Sequence, residues 1–276
     1  MSVLVLRVAT ALYAIAAGFY LAQFARPVFR RAQVAGAALV GAGFAIHAAA
    51  IGLACREFHG AEFFTMRGGF VLLAWLMAGG LLLVEGWRRI PAVGAFATPL
   101  ILLVLLPALF GAPGRIGGVP TVVQIGLLRL VHIPSAFLGL AFFALASGVA
   151  LMYLLQEREV KGKHFGPFFT RLPALAALDR LNQRLVRLGF VIFTLAVVTG
   201  AAVAKVAWGS FWLWDPHQVV VLLVWILYGT LVQLHHTGWH GRRYALLTMV
   251  GFVLMIGSFV FFGALPGLTR HGRDFQ

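Results

Sequence analysis

Side chains able to ligate a metal or stack on a flat ligand are few in this 276-residue chain, and they are unevenly spread. Three of its seven tryptophans, Trp208, Trp212 and Trp214, fall in the stretch Trp208-Gly-Ser-Phe-Trp-Leu-Trp-Asp-Pro-His-Gln218, beside Phe211 and Asp215. Indole faces give a large apolar contact area with one polar N–H each. That suits a large planar ligand as well as it suits the edge of a bilayer. Asp215-Pro216 has a local explanation, because Asp is favoured at a helix N-cap and Pro at the first helical position. Two histidines with arginine neighbours flank the stretch in sequence: His132 in Arg129-Leu-Val-His-Ile-Pro and His271 in Thr-Arg270-His-Gly-Arg273. Each imidazole can offer one ring nitrogen to a metal. A third histidine, His47, stands in the apolar run Gly-Phe-Ala-Ile-His-Ala-Ala-Ala.

The elements that must position these residues are membrane helices. The chain is 61% hydrophobic and only 11% charged, with mean hydropathy +0.94; a soluble domain carries about 25% charged residues. Apolar runs of about 20 residues, the length that crosses a bilayer, recur throughout. The expectation is an all-α integral membrane protein, an eight-helix transmembrane bundle with spans near 3–25, 33–54, 68–87, 92–111, 128–155, 185–206, 216–235 and 244–265. It reads as one polytopic domain over 1–276, with a four-helix half (1–127) and a second half (128–276) that holds the tryptophan-rich loop between its sixth and seventh helices. The first run is too long for a signal-peptide core and lacks a small-residue cleavage site before Arg26. The polar connection from Gln156 to Arg184 reads as a solvated connector, with Leu172, Leu175, Leu178 and Leu181 spaced for a short amphipathic helix.

Charge sets the expected orientation. Of the 22 Lys and Arg residues, fourteen lie in the odd-numbered loops and their helix ends, and eight on the other side, termini included. The positive-inside rule then places the odd loops in the cytoplasm and both termini outside, in a bacterial cytoplasmic membrane. The net charge of +14 is accounted for by topology and does not call for nucleic acid. On this arrangement His132, His271 and the tryptophan loop share the outer face. Two imidazoles can hold a haem iron from opposite sides. Arg129, one turn before His132, and Arg270 can pair with carboxylates such as the haem propionates. The competing explanation is a set of ordinary interfacial residues, which fits Trp75, Trp87, Trp225 and Trp239. His47 is an ionisable group inside a span. It is either a functional residue or a neutral histidine bonded to a neighbouring helix. Cys55 is the only cysteine, so the chain has no Cys-x-x-Cys pair and no Cys-x-x-Cys-His haem attachment site of its own.

The tryptophan stretch resembles the "WWD" signature of the cytochrome c assembly membrane family, whose members handle haem. Gly238-Trp-His-Gly-Arg-Arg243 is similar to the family's Gly-Trp-x-Gly-Arg-Arg element. From Arg129 to Arg273 the layout follows the family: a histidine before a long helix, Leu-Leu-Gln-Glu-Arg, the connector, Arg-Leu-Gly-Phe, Thr-Gly-Ala, the tryptophan loop and a final histidine. The eight-span size and the first half are most similar to the CcsA/ResC and HemX-like branches. Two departures stand out. His217-Gln218 replaces the usual Lys-Glu after Asp-Pro, so that His217 is a helix-start residue, a substitute ligand or the mark of a divergent subgroup. Leu231-Val-Gln-Leu replaces the common Leu-His-x-Arg.

The resemblance implies that His132 and His271 are axial ligands of the haem iron. It further implies that Trp208, Trp212, Trp214 and Asp215 form the wall against the porphyrin, with Phe211 in the same aromatic cluster, and that His47 serves haem entry through the membrane as a candidate intramembrane haem ligand. The implied cargo is haem b. The implied partners are a ResB-like membrane subunit, an apocytochrome c with a Cys-x-x-Cys-His segment, and membrane lipid. The implied role is the haem-handling half of a cytochrome c synthase (a haem lyase), in which no residue of this chain acts as a catalytic nucleophile or acid–base pair. The alternative is a HemX-like accessory protein that affects haem synthesis or delivery without catalysing attachment.

Overall fold

The computed structural model describes residues 1–26, 30–58, 65–88, 91–110, 126–163, 166–234 and 240–264. Among them are nine helices: α1 (Ser2–Ala25), α2 (Arg30–Glu57), α3 (Met66–Arg88), α4 (Pro91–Phe110), α5 (Gly126–Lys161), α6 (Pro167–Arg171), α7 (Leu175–Trp208), α8 (Pro216–Leu234) and α9 (Arg242–Ala264). All but the five-residue α6 are long and apolar enough to cross a membrane, which makes this a multi-pass membrane protein. Helices are the economical answer to an apolar solvent, since each closes its own backbone hydrogen bonds. The eight expected spans therefore appear with ends displaced by only a few residues, except at the connector.

There the structure corrects the sequence-based expectation. α5 runs on to Lys161 and α7 already begins at Leu175, so the polar stretch is largely the ends of two long helices. Leu178 and Leu181, expected on a separate amphipathic helix, are buried on the first turns of α7. Asp179 helps to fix this end, accepting from the Gln183 side chain at 2.8 Å and from the Gly241 N–H at 3.3 Å.

The helices form two rings of four. In the first, α1 packs on α2 and α4, and α3 closes the ring against α2 and α4. In the second, α5 packs on α7 and α9, and α8 completes the ring against those same two helices. The rings meet where α3 and α4 pack on α5. Without a hydrophobic driving force between helices in lipid, close packing and buried polar contacts hold such bundles together. The first ring shows both: Tyr13 and Tyr20, seven residues apart on one face of α1, are fully buried, and the Tyr20 hydroxyl donates to Glu85 Oε2 at 2.6 Å.

Two tryptophans read from sequence as interfacial lie midway along their spans, half-buried against neighbouring helices. Trp75 lies midway along α3, stacked on Phe44 with centroids 4.8 Å apart, and its Nε1–H donates to the Phe44 carbonyl at 3.2 Å. Trp225, midway along α8, donates to Thr194 Oγ1 on α7 at 2.9 Å. Their N–H groups satisfy carbonyl and hydroxyl acceptors between helices, a role that periodicity alone does not reveal. Of the other tryptophans assigned to the interface, the Trp87 side chain and Trp239 lie outside the described residues.

Candidate functional site

The tryptophan loop begins where α7 stops. Gly209 adopts φ 79° and its N–H bonds back to the Lys205 carbonyl at 3.0 Å, which ends the helix in a left-handed cap. The Lys205 ammonium donates to the Gly209 carbonyl at 2.9 Å and stands 5.5 Å over the Phe211 ring. The loop then folds on itself: Ser210 Oγ donates to the Trp212 carbonyl at 2.9 Å, and the Leu213 N–H donates to Gln218 Oε1 at 3.0 Å. Trp214 has φ 55°, a left-handed conformation that costs a bulky residue about 1–2 kcal/mol. Asp215 then caps α8 as its sequence indicates, with Oδ1 accepting from the His217 N–H at 3.0 Å and its carbonyl accepting from the Val219 N–H at 3.0 Å.

Behind this loop lies a partly open cleft at one end of the second ring. Its walls come from α5, α7, α8, α9 and the loop, and include Arg129, His132, Trp208, Phe211, Trp212 and His217. Phe193 lines the base, packed edge-on to Phe143 with centroids 5.6 Å apart. Phe143 in turn stacks on Tyr228 at 3.7 Å, so an aromatic plug closes the ring below the cleft.

His132 is held with care. Its Nδ1 lies 2.8 Å from the Ala196 carbonyl of α7, and a carbonyl can only accept, so Nδ1 carries the proton. In the neutral ring Nε2 then bears the lone pair, the arrangement in which histidine ligates metals, with the backbone carbonyl as the orienting outer partner. The ring presses against α7 at Gly200: a Cβ there would stand 2.7 Å from His132 Cε1 and 3.0 Å from Nδ1. Any larger residue at 200 would push the imidazole out of this position.

The structure brings together Arg129, His132, Trp208, Phe211 and Trp212. Trp214 is not part of the cleft lining; it is 75% exposed and meets Trp212 edge-on with centroids 6.0 Å apart. Asp215 is buried as the cap of α8 and supports the wall without lining it. His47 sits in the other ring, fully buried, its Nδ1 3.3 Å from the Tyr13 hydroxyl of α1. That is the contact with a neighbouring helix weighed from sequence. His271 and Arg270 lie outside the described residues. His217, weighed in sequence as a helix-start residue or a substitute ligand, lines the cleft, and Gln218 and Gly200, given no role there, bond the loop and make room for His132. The break from the family pattern at 217–218 was the only signal for the first two, and nothing in the sequence singled out Gly200.

The first residue set contains an oriented imidazole, a guanidinium and aromatic faces around an apolar hollow, and its context comes from similarity to known proteins. The family described as Cytochrome C assembly protein matches residues 5–265. The chain is similar to the cytochrome c biogenesis protein CcsA of Synechococcus sp. (strain CC9605), 30% identical over 228 residues, 74% of this chain and 75% of that protein. The CcsA of Prochlorococcus marinus (strain MIT 9303) is 29% identical over 235 residues, covering 74% and 73% of the two chains. In Porphyra purpurea the protein so described is 25% identical over 223 residues, covering 67% and 70%. Among solved structures, cytochrome c haem lyase CcmF has the same fold, with a TM-score of 0.68 over all of this chain at 14% identity; this chain spans 53% of that one. By the family match and by these relatives, the chain is a CcsA-like member of the cytochrome c assembly protein family.

Proposed function

We propose that this protein is a haem-handling membrane subunit of cytochrome c biogenesis, which binds haem b as cargo in the cleft behind the tryptophan loop and presents it for thioether attachment to apocytochrome c. The observation that carries this reading is His132, an imidazole oriented by the Ala196 carbonyl with its ligating nitrogen free of that bond, on the wall of an aromatic cleft. The lining fits the cargo: apolar and aromatic surfaces suit the porphyrin faces, His132 the iron, and the Arg129 guanidinium a propionate. His271 is the second axial ligand that the resemblance implies, with Arg270 beside it.

In this reading the cleft and both termini face the outside of a bacterial cytoplasmic membrane, following the distribution of Lys and Arg. The chain acts as one polytopic unit. The Phe193–Phe143–Tyr228 plug beneath the cleft disfavours a straight path for haem along the axis of the second ring. Entry from the bilayer or by way of the first ring remains, and there His47 has a buried Nε2 with no hydrogen-bond partner among the described residues. A ResB-like subunit brings the apocytochrome. Each cysteine S–H of its Cys-x-x-Cys-His segment adds across a haem vinyl group, the sulfur to one carbon and the hydrogen to the other, with no net oxidation. This chain's share is orientation and binding, which lower the entropic part of the barrier.

The test is reconstitution. The chain is co-expressed with a ResB-like partner and an apocytochrome in a host lacking its own assembly system, and covalent haem is read by haem stain after denaturation. The reading predicts covalent cytochrome that disappears when this chain is omitted. Haem bound to the purified chain, but no covalent product with any such partner, would favour the HemX-like accessory role instead.

A further inference from the structure

The described residues place two imidazoles on the cleft, His132 from α5 and His217 from the first turn of α8. These helices occupy opposite corners of the second ring, because each packs on α7 and on α9. Both run in the same direction, since α7 lies between them in sequence and returns antiparallel. Deeper in the ring their side chains meet across the centre: Phe143 of α5 and Tyr228 of α8 stack with centroids 3.7 Å apart and planes inclined by 2°.

That stack fixes the register of the two helices. Phe143 lies eleven residues after His132, and Tyr228 lies eleven after His217. Eleven residues make three helical turns, a return to within about 20° of the same face and a rise of about 16 Å. The two histidines therefore leave diagonal helices at one height, on the same inward faces, above a floor made by the stack. Their shared place on the cleft agrees with this. At the start of α8 the His217 N–H donates to Asp215 Oδ1.

We propose that His217 is an axial ligand of the haem iron in this cleft, opposite His132. The proposal rests on the haem-binding reading above and adds to it. Axial ligands must reach a planar macrocycle from its two faces, and imidazoles from opposite corners of a four-helix ring satisfy that requirement. The resemblance gives that position to His271, and the test separates the two histidines.

Absorption and electron paramagnetic resonance spectra of the purified full chain test this in four forms: wild type, His271→Ala, and His271→Ala combined with His217→Ala or with His217→Gln. The expected result is a six-coordinate, low-spin haem in wild type and in His271→Ala. Both double variants should turn five-coordinate and high-spin, or lose more than about nine-tenths of their haem, and millimolar imidazole should restore the low-spin form. A high-spin His271→Ala protein overturns the proposal and leaves His271 as the opposite ligand. So does a low-spin spectrum that persists in either double variant. A wild type that binds no haem fails differently, because it contradicts the proposed function itself.

Discussion

Replacing Gly200 by Ala adds a single methyl group and separates helix stability from haem binding. In α7 the change by itself favours the helix, since Gly is about 1 kcal/mol worse than Ala in a helix interior. The added Cβ, however, would stand 2.7 Å from His132 Cε1 and 3.0 Å from Nδ1, distances that require the ring or the helix to move. The nearest thing to yield is the imidazole, and its movement breaks or stretches the 2.8 Å Nδ1–H bond to the Ala196 carbonyl. Such a bond is worth about 0.5–1.5 kcal/mol, and loss of an outer orienting partner typically costs a metal site about 10–100-fold in affinity. The helix gain and the lost bond nearly cancel, so the haem-free protein should stay within about 0.5 kcal/mol of wild type in thermal stability, while haem affinity falls by about tenfold or more. Haem titration of the purified apoprotein, followed by absorbance, measures the second quantity. Gly148→Ala, where a Cβ meets nothing within 4 Å, is the control. A Gly200→Ala protein that takes up haem with wild-type affinity and spectrum would refute the role given to the His132–Ala196 contact.

Trp212→Ala, which removes a cleft wall, should weaken haem retention roughly three- to tenfold, consistent with an aromatic contact of about 0.5–1.5 kcal/mol. Trp214→Ala, at an exposed ring off the cleft, should leave retention unchanged in the same dialysis assay. Tyr20→Phe strips the donor from Glu85 Oε2 at 2.6 Å and should destabilise the first ring by about 1–3 kcal/mol in thermal unfolding. Tyr20→Phe combined with Glu85→Leu should recover most of that loss, because no buried acceptor is left. In a Cys55→Ser background, a cysteine at Ser210 should react with a membrane-impermeant thiol reagent in intact cells, whereas one at Gly162 should react only after lysis; the reverse pattern would invert the orientation.

The membrane fold was legible because a single physical demand dominates it. Each span must supply about 20 apolar residues, and that demand writes its own boundaries into the chain, as α1, α3 and α8 illustrate. Where the demand lapses, the reading weakens: nothing in the apolar count reveals that α7 continues as a helix from Leu175, because those turns are polar on one side. Motif and neighbour rules were enough for the cap at Asp215-Pro216, which depends on adjacent residues alone. Trp75 and Trp225 read as interfacial because composition cannot tell an indole at a bilayer edge from one that bonds Phe44 or Thr194 across helices. Trp214 belongs to the same dense cluster as Trp212, yet it has a left-handed φ and stands exposed outside the cleft lining. Gly200 and the shared height of His132 and His217 needed helix diagonals and ring contacts, which one-dimensional spacing does not carry.

The most direct test of the central claim is ligation by His132. Wild-type and His132→Ala proteins, purified in detergent from the same host, are compared for haem content and for the optical and magnetic spectra of the bound iron. Ligation by His132 predicts low-spin, six-coordinate haem in wild type. In His132→Ala it predicts loss of most of the haem, or conversion to a high-spin form that added imidazole returns to low spin. A His132→Ala protein with the haem content and spectrum of wild type would contradict it.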